Sequence, residues 1–416
     1  MKLKLISTVA ALAILAPGAA FADTIKIGLM APQEGVFTQG GNDGIRGFKL
    51  ALDKFNGEIN GKKIEWVLAP TDATPDRAVR EARRLIEQEQ VDFIIGPLSG
   101  SEGLALRDYA KTIPNKTIVN AASGAFETTY VDPAPNFFRF HPDGAQWGYG
   151  LGSYVVNEKG WKRIATVAAD YSFGHTNFMG FAVDFCKAGG DIVERFWLPL
   201  GSGDFASIIA ALPDDVDAIY LGVGGTDAIN FLNQYQQAGG DTNLIGGTIM
   251  VDQTVLTARG RAKEALVGTP SSGVQADDWD APEWKEYVAA YQAAYPDGLP
   301  TPSLFSTNYY NSTMGALLAL EAIGGELDDD HANFHAALSA VEMKTPNGNI
   351  KLDQNRQAIG SVFITEVVEG PDGNLINTFK QKVDNVSQTL GMTPEEFAAI
   401  GLPGRDTPDC AALRGG

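Results

Sequence analysis

The chain has 416 residues, 44% of them hydrophobic, with 51 acidic against 32 basic side chains and a formal charge of -19. This length allows two or three domain-sized units with ample core. So acidic a chain is a poor partner for nucleic acid or an anionic membrane, although a local site can still oppose the global sign.

Lys2 and Lys4 precede an apolar run from Leu5 to Leu15, Pro17-Gly18 breaks it, and Ala20-Phe21-Ala22 is a small-x-small cleavage site. Residues 1–22 therefore read as a secretory signal peptide, too short for a membrane anchor. No cysteine follows the cleavage site, so a soluble exported chain without a lipid anchor is expected, starting near Asp23. Its charge is -21 once Lys2 and Lys4 are gone. A bacterial periplasm is the expected compartment.

From residue 24 strand and helix patterns alternate. Residues 24–30 (TIKIGLM) read as an apolar strand and 31–42 as a loop. Residues 44–55 read as a helix with Ile45, Phe48, Leu52 and Phe55 on one face. A glycine-containing turn leads to a strand at 64–69. Thr74-Pro75-Asp76 opens a helix expected to reach about Glu89. Residues 91–103 (VDFIIGPLSGSEG) follow: a buried strand, a break at Gly96-Pro97, a loop with Ser99, Gly100 and Ser101, and a helix running to Lys111. A polar loop at a helix N-terminus offers backbone N–H groups beside hydroxyls, which suits a carboxylate. An ordinary strand-to-helix turn uses the same residues. A strand at 117–120 ends in the loop AASGA (121–125), and a strand at 137–143 closes the series.

A second series comprises helix 145–159, strand 163–168, loop 169–174, helix 175–188, strand 192–198 and a helix near 205–212. Strand 217–221, a glycine-rich loop at 222–226, helix 227–238 and strand 244–249 complete it. Two such series imply an α/β fold: two doubly wound lobes with parallel central sheets and helices on both faces. A strand at 266–272 and helices at 282–295, 304–323 and 332–341 come next. Then come β-structure at 350–352, 361–368 and 375–380, a hairpin turn at 370–373, and a short helix near 394–400. Crossovers are expected near 141–144, 273–280 and 345–349. They assign 23–142 plus 274–347 to lobe one and 143–273 plus 348–416 to lobe two, joined by a three-segment hinge. Ligands bind at the carboxyl ends of strands in open parallel sheets, so a cleft that closes between the lobes is expected.

Other motifs carry less. Gly222-Val-Gly224-Gly225-Thr-Asp227 follows a strand, but its last position is Asp, so backbone lining of a cleft is the better reading than a nucleotide loop. Ser101 lacks the glycine that completes a nucleophile elbow, and none of His141, His175, His331 and His335 stands in a base motif. His331 and His335 lack the Glu of HExxH, no Cys/His pair has ligand spacing, and neither a metal nor a cofactor is implied. Cys186 and Cys410 are candidates for one disulfide in an oxidising compartment; two separate thiols are the alternative. Tyr171 and Phe173 stand at a strand end, and Phe37 and Gln39 on the equivalent first loop. Cleft lining and core packing both suit them.

The order of these motifs resembles the type I periplasmic solute-binding proteins of the branched-chain (hydrophobic) amino-acid ABC-transporter family. The resemblance rests on IKIGLMAPQEGVFTQGGNDGIRGFKLALDKFN, VDFIIGPLSGSEG, TIVNAASGAFETT, FFRFHPDGAQWG, RIATVAADYSFGHT, DFASIIAAL, VDAIYLGVGGTDAINFLNQYQQAGG and LIGGTIMVD, and it covers nearly the whole mature chain. It implies a ligand in an interlobe cleft, delivered by a monomer to an inner-membrane ABC permease. By motif position, the loop that holds a ligand carboxylate falls at Gly100 and Ser101. The next loop's carbonyl and hydroxyl fall at Ala121 and Ser123, flanking Ala122. The second-lobe aromatic falls at Phe173, beside Tyr171, and a lid position at Gly40, with Phe37 nearby. Two departures stand out. Gly224 replaces an aromatic, and Thr248 stands where an acidic partner for a ligand ammonium is expected. A buried ammonium without a partner would cost several kcal/mol. The chain therefore reads as a non-enzymatic binder of a small, mostly apolar carboxylate such as an aromatic acid. The alternative is an aliphatic amino acid with Asp252 or Asp227 as the ammonium partner. More remote are a secreted hydrolase using Ser101 and a sensory module acting with a separate partner.

Overall fold

The computed structural model describes residues 24–415, so the signal-peptide reading lies outside the described residues. The first half contains β1 (Ile25–Pro32), α1 (Thr38–Lys54), β2 (Glu58–Ile59), β3 (Lys62–Thr71), α2 (Pro75–Arg83), β4 (Phe93–Ile95), α3 (Gly100–Ala110), β5 (Thr117–Asn120), α4 (Glu127–Tyr130) and β6 (Phe137–Arg139). Next come α5 (Gly144–Gly148), α6 (Leu151–Tyr154), β7 (Arg163–Ala169), α7 (Ser172–Lys187), β8 (Asp191–Leu198), α8 (Ala206–Ala211), β9 (Ala218–Gly222), α9 (Gly225–Gln237), β10 (Asn243–Gly246), α10 (Gln253–Leu256) and β11 (Pro270–Gly273). The chain ends with α11 (Pro282–Ala294), α12 (Leu304–Ala322), α13 (Ala332–Ala340), β12 (Glu342–Thr345), β13 (Gly348–Leu352), β14 (Ala358–Glu369), β15 (Leu375–Val386), α14 (Pro394–Ile400) and α15 (Cys410–Leu413). Among the described residues no helix is long and apolar enough to cross a membrane.

The strands form two sheets. The first has the order β2-β3-β1-β4-β5-β6 and is parallel except for the β2–β3 hairpin. Its apolar runs are buried on both faces, as a doubly covered parallel sheet requires. Ile27, Leu29, Phe93, Ile95 and Val119 point into a core shared with Phe48, Tyr309 and Leu317 of α1 and α12. Met30, Ile94 and Ile118 point the other way, against Ala82, Leu85 and Leu106. The second sheet has nine strands, with β8, β7, β9, β10 and β11 parallel. An antiparallel arm of β14, β15, β13 and β12 extends it. The lobes are thus α/β with parallel-rich sheets, and the last third of the chain adds the antiparallel part.

Several local expectations are corrected. The first helix starts at Thr38, not near 44, and takes Gln39 and Gly40 with it. Its four glycines weaken the sequence signal. Packing explains them: a Cβ at Gly47 would lie 2.0 Å from the Ser306 carbonyl oxygen. The helix expected at 145–159 is α5 and α6, broken at Tyr149-Gly150 with Gly150 at φ +87°. Gly148 and Gly152 let these pieces lie directly on α7. The helix expected to reach Glu89 finishes as a wider turn over Arg84–Gln88. The strand expected at 244–249 stops at Gly246, and Thr248–Met250 is a 3-10 turn. The strand expected at 266–272 is only Pro270–Gly273, after a 3-10 turn at Ala262–Leu266.

The chain passes between the lobes at three places, and the third is not at 345–349. Those residues turn the β12–β13 hairpin, whose Met343 and Ile350 are packed in the first lobe's core. The passage comes after Leu352, as the chain enters β14. The first passage, after β6, is held by a buried polar network. Arg139 donates from Nη1 to the Ser123 and Ala125 carbonyls (3.1 and 2.7 Å), from Nη2 to Thr129 Oγ1 (2.7 Å), and from Nε to Gln357 Oε1. Asp143 lies 3.6 Å from its guanidinium and accepts from Gln388 (2.7 Å) and from the Ala145 and Gln146 amides (both 2.9 Å). Burial pushes Arg139 down to about 10 and His141 down to about 3. A disulfide joins Cys186 of α7 to Cys410. The tail on the way there donates from Arg405 to Asp170, which also accepts from His175 (2.8 Å).

Candidate functional site

The loops after β1, β4, β5 and β7 meet between the lobes. Phe37, Leu98, Ser99, Gly100, Ala122, Trp147, Tyr171, Phe173, Ile249 and Phe305 line one small chamber there, with a free volume of about 10 Å³. That is room for about one water molecule. A benzene-sized ligand therefore enters only when the lobes part or the rings swing aside. The lobes touch around the chamber. Ser101 Oγ lies 3.3 Å from Ser172 Oγ, and the Thr226 amide donates to the Val36 carbonyl (3.3 Å). Phe37 and Tyr171 face each other at 6.4 Å between ring centroids. A larger depression of about 610 Å³ lies away from this meeting point, against Leu212, Pro213 and Gln234, and brings none of the cleft loops together.

One end of the chamber is the N-terminus of α3. In an 11-residue helix the Gly100 and Ser101 amides have no intrahelical partner, and they carry the positive end of the helix dipole. Ser99 is turned away, with its hydroxyl on the Ala73 carbonyl (3.0 Å), and its amide donates to Glu102 Oε2 (2.9 Å). Glu102 is fully buried, with the Thr71 hydroxyl beside its carboxyl. Burial pushes the Glu102 carboxyl up to about 7, with the Asp72 charge adding a little. A carboxyl raised in the folded state stabilises below its unfolded pKa and loses that stabilisation as pH rises through the folded one. Melting temperature is therefore expected to fall between about pH 5 and pH 8, with Glu102 contributing on the order of 3 kcal/mol. Glu102→Gln keeps the bond to the Ser99 amide and should flatten that slope in thermal melts. An unchanged slope in the variant would refute the assignment.

The structure brings Phe37, Gly100, Ala122, Tyr171 and Phe173 together on the chamber wall and leaves Ser101 at its rim. It places other sequence candidates elsewhere. Gln39 is exposed on α1. Ala121 is buried behind the wall, and Ser123 Oγ lies beneath α3, 2.0 Å from where a Gly103 Cβ would stand. Gly224 is buried, and Ile249 fills the space its side chain would take: a Cβ there would lie 2.5 Å from Ile249 Cδ1. The same exchange occurs at the lid. A Cβ at Gly40 would lie 2.7 Å from the Phe305 ring, so an aromatic from α12 supplies the bulk that α1 lacks. Leu98, Trp147, Ile249 and Phe305 were missed. Trp147 lies in one of the motifs that carry the resemblance, whereas nothing local ties Phe305 to a site.

Thr248 stands in a neutral, closed network. Its hydroxyl accepts from Asn177 Nδ2 (3.1 Å), its amide donates to Asn177 Oδ1 (3.3 Å), and Tyr220 OH donates to the same oxygen (3.1 Å). The two acidic alternatives serve the backbone. Asp227 accepts from the Gly201 amide (2.7 Å). Asp252 accepts from the Thr254 amide and hydroxyl (3.0 and 2.7 Å) and from the Leu304 amide (2.9 Å).

Comparison with known proteins agrees with this architecture. The profile of the family described as periplasmic binding protein matches residues 24–373. Leu/Ile/Val-binding protein homolog 6 of Brucella melitensis is 25% identical over 399 residues, covering 92% of this chain and 98% of that protein. Leu/Ile/Val-binding protein homolog 7 of Brucella suis is 28% identical over 390 residues, covering 88% and 94%. An ABC transporter substrate-binding protein from Sphaerobacter thermophilus superposes with a TM-score of 0.78 at 28% identity, covering 87% of this chain and 98% of that one. A solute-binding protein of an ABC transporter from Rhodopseudomonas palustris BisB5, solved with 3,4-dihydroxybenzoic acid, gives 0.80 at 27% identity, covering 90% and 99%. Family and fold are those of solute carriers rather than enzymes, and the chain belongs to the periplasmic binding proteins, in the branched-chain amino-acid type that serves ABC transporters.

Proposed function

We propose that this protein captures a small, mostly apolar carboxylate, with an aromatic acid of the benzoate type as the leading class, and hands it to an ABC permease of the inner membrane. It works as a periplasmic monomer after removal of residues 1–22. Lobe one (23–142 plus 274–352) and lobe two (143–273 plus 353–416) close on the ligand. The carboxylate sits on the Gly100 and Ser101 amides, and the ring lies among Phe37, Tyr171, Phe173 and Phe305. The observation that carries this reading is that, among the described residues, no acidic side chain lines the chamber, where an amino-acid ligand would need a negative charge for its ammonium group. The similarity to a protein solved with 3,4-dihydroxybenzoic acid supports it. The second reading, an aliphatic amino acid, is favoured by the Leu/Ile/Val-binding relatives.

A thermal-shift series separates the two. Benzoate, 4-hydroxybenzoate and 3,4-dihydroxybenzoate should stabilise the protein, by about 2.7 kcal/mol at 100 times the dissociation constant. Leucine, isoleucine and valine should leave it unchanged. Stabilisation by leucine or valine with none by the des-amino acids would overturn the reading.

A further inference from the structure

A second, polar cavity of about 20 Å³ lies behind the chamber, on the far side of Thr248 and Leu304 and beside the second passage between the lobes. Its size admits one water-sized body. Three oxygens among its lining residues are buried without a partner: Gln253 Oε1, Ser272 Oγ and Asn377 Oδ1. Gln253 and Ser272 are 1% and 3% exposed. The amide orientations are fixed by their other ends. Gln253 Nε2 donates to Asp277 Oδ2 (2.7 Å), and Asn377 Nδ2 to the Val251 carbonyl (2.6 Å), so both orphans are acceptors.

Two carboxylates complete the wall, Asp252 and Asp277, and among the described residues no Lys, Arg or His lines the cavity. Asp252 Oδ2 accepts only from the Leu304 amide (2.9 Å), and Asp277 Oδ1 only from Thr301 Oγ1 (2.9 Å). Each oxygen keeps a lone pair. A water molecule would satisfy the orphaned oxygens but leave two negative charges buried together, which is costly without a counter-charge.

We propose that this cavity is a binding site for one hard, oxygen-ligated cation, held by Gln253 Oε1, Ser272 Oγ, Asn377 Oδ1 and the Asp252 and Asp277 carboxylates. Oxygen-only ligands select Ca²⁺ or Na⁺ over softer metals. The site spans the lobes, because Thr301 and Leu304 belong to the first and Gln253 and Asn377 to the second. Occupancy therefore tightens the closed arrangement, whatever solute the chamber takes.

The test is calorimetric and thermal titration of the purified protein, stripped with chelator and dialysed. CaCl₂, NaCl and MgCl₂ are compared with choline chloride at matched ionic strength. One cation is expected to bind at one site per chain and raise the melting temperature by about 3 °C at saturation. Asp277→Asn should abolish the rise. Ser272→Ala, which removes an unpartnered oxygen and leaves the fold intact, should weaken binding at least about tenfold. Equal melting in all salts overturns the proposal. So does a cation-specific rise that is unchanged in Ser272→Ala.

Discussion

Arg139→Met should lower the stability of the protein by about 3–5 kcal/mol, the largest effect expected of any single substitution here. The guanidinium is completely buried and is the cation beside Asp143, 3.6 Å away. Removing it strands a buried carboxylate and takes one donor each from the Ser123 and Ala125 carbonyls and Gln357 Oε1, which keep only Asn120 Nδ2, the Thr128 amide and Thr129 Oγ1 among the described residues. The loss comes from the abandoned partners rather than from the pair itself, so a double change should recover part of it. Arg139→Met combined with Asp143→Asn is expected to be more stable than Arg139→Met alone, in a double-mutant cycle read by urea unfolding. If the single variant costs less than about 1 kcal/mol, Asp143 is not charged in the native protein.

Gly100→Val should leave the free protein folded and weaken ligand capture about 100-fold or more. A side chain at this first helical position is compatible with the local backbone, which is not in the left-handed region. Across the cleft it is not. A Cβ would lie 2.8 Å from the Phe173 amide nitrogen and from Ser172 Oγ, closer than the second lobe tolerates without moving back. The open arrangement is untouched and the closed one is penalised. Apparent affinity falls by the fraction of closed population lost. Calorimetric titration with whichever acid stabilises the wild type measures it, and an unchanged affinity would mean that the ligand is held without closure.

The parts legible from sequence were those written locally. Alternating apolar runs gave both βα series, and the loop around Ser99 gave the helix N-terminus that faces the chamber. What the sequence hid was decided by distant residues. Glycines at 40, 44 and 47 look like helix breakers until α12 is laid against them. Gly40 and Gly224 look like lost pocket walls until Phe305 and Ile249 are seen in the spaces they leave. The hairpin at 345–349 looks like an interlobe crossing because turn residues are common to both, and only the burial of Met343 and Ile350 distinguishes them. Asp252, with Asp227 one of two alternative ammonium partners on sequence grounds, accepts from the Thr254 and Leu304 amides, contacts no residue pattern announces.

The interleaving of the lobes bears on how such a chain can be made. The first lobe's core needs Tyr309, Leu317 and Ile350, and the second needs β14, β15 and a disulfide whose cysteines are 224 residues apart. Neither half is a contiguous piece. A ribosome or a translocation channel releasing the chain from its N-terminus delivers almost all of it before either core can be completed. Native structure dominated by such distant contacts forms slowly. A protein built this way completes its first lobe only once Ile350 has emerged and its second only with Cys410, and a truncation that removes β13 leaves neither lobe finished.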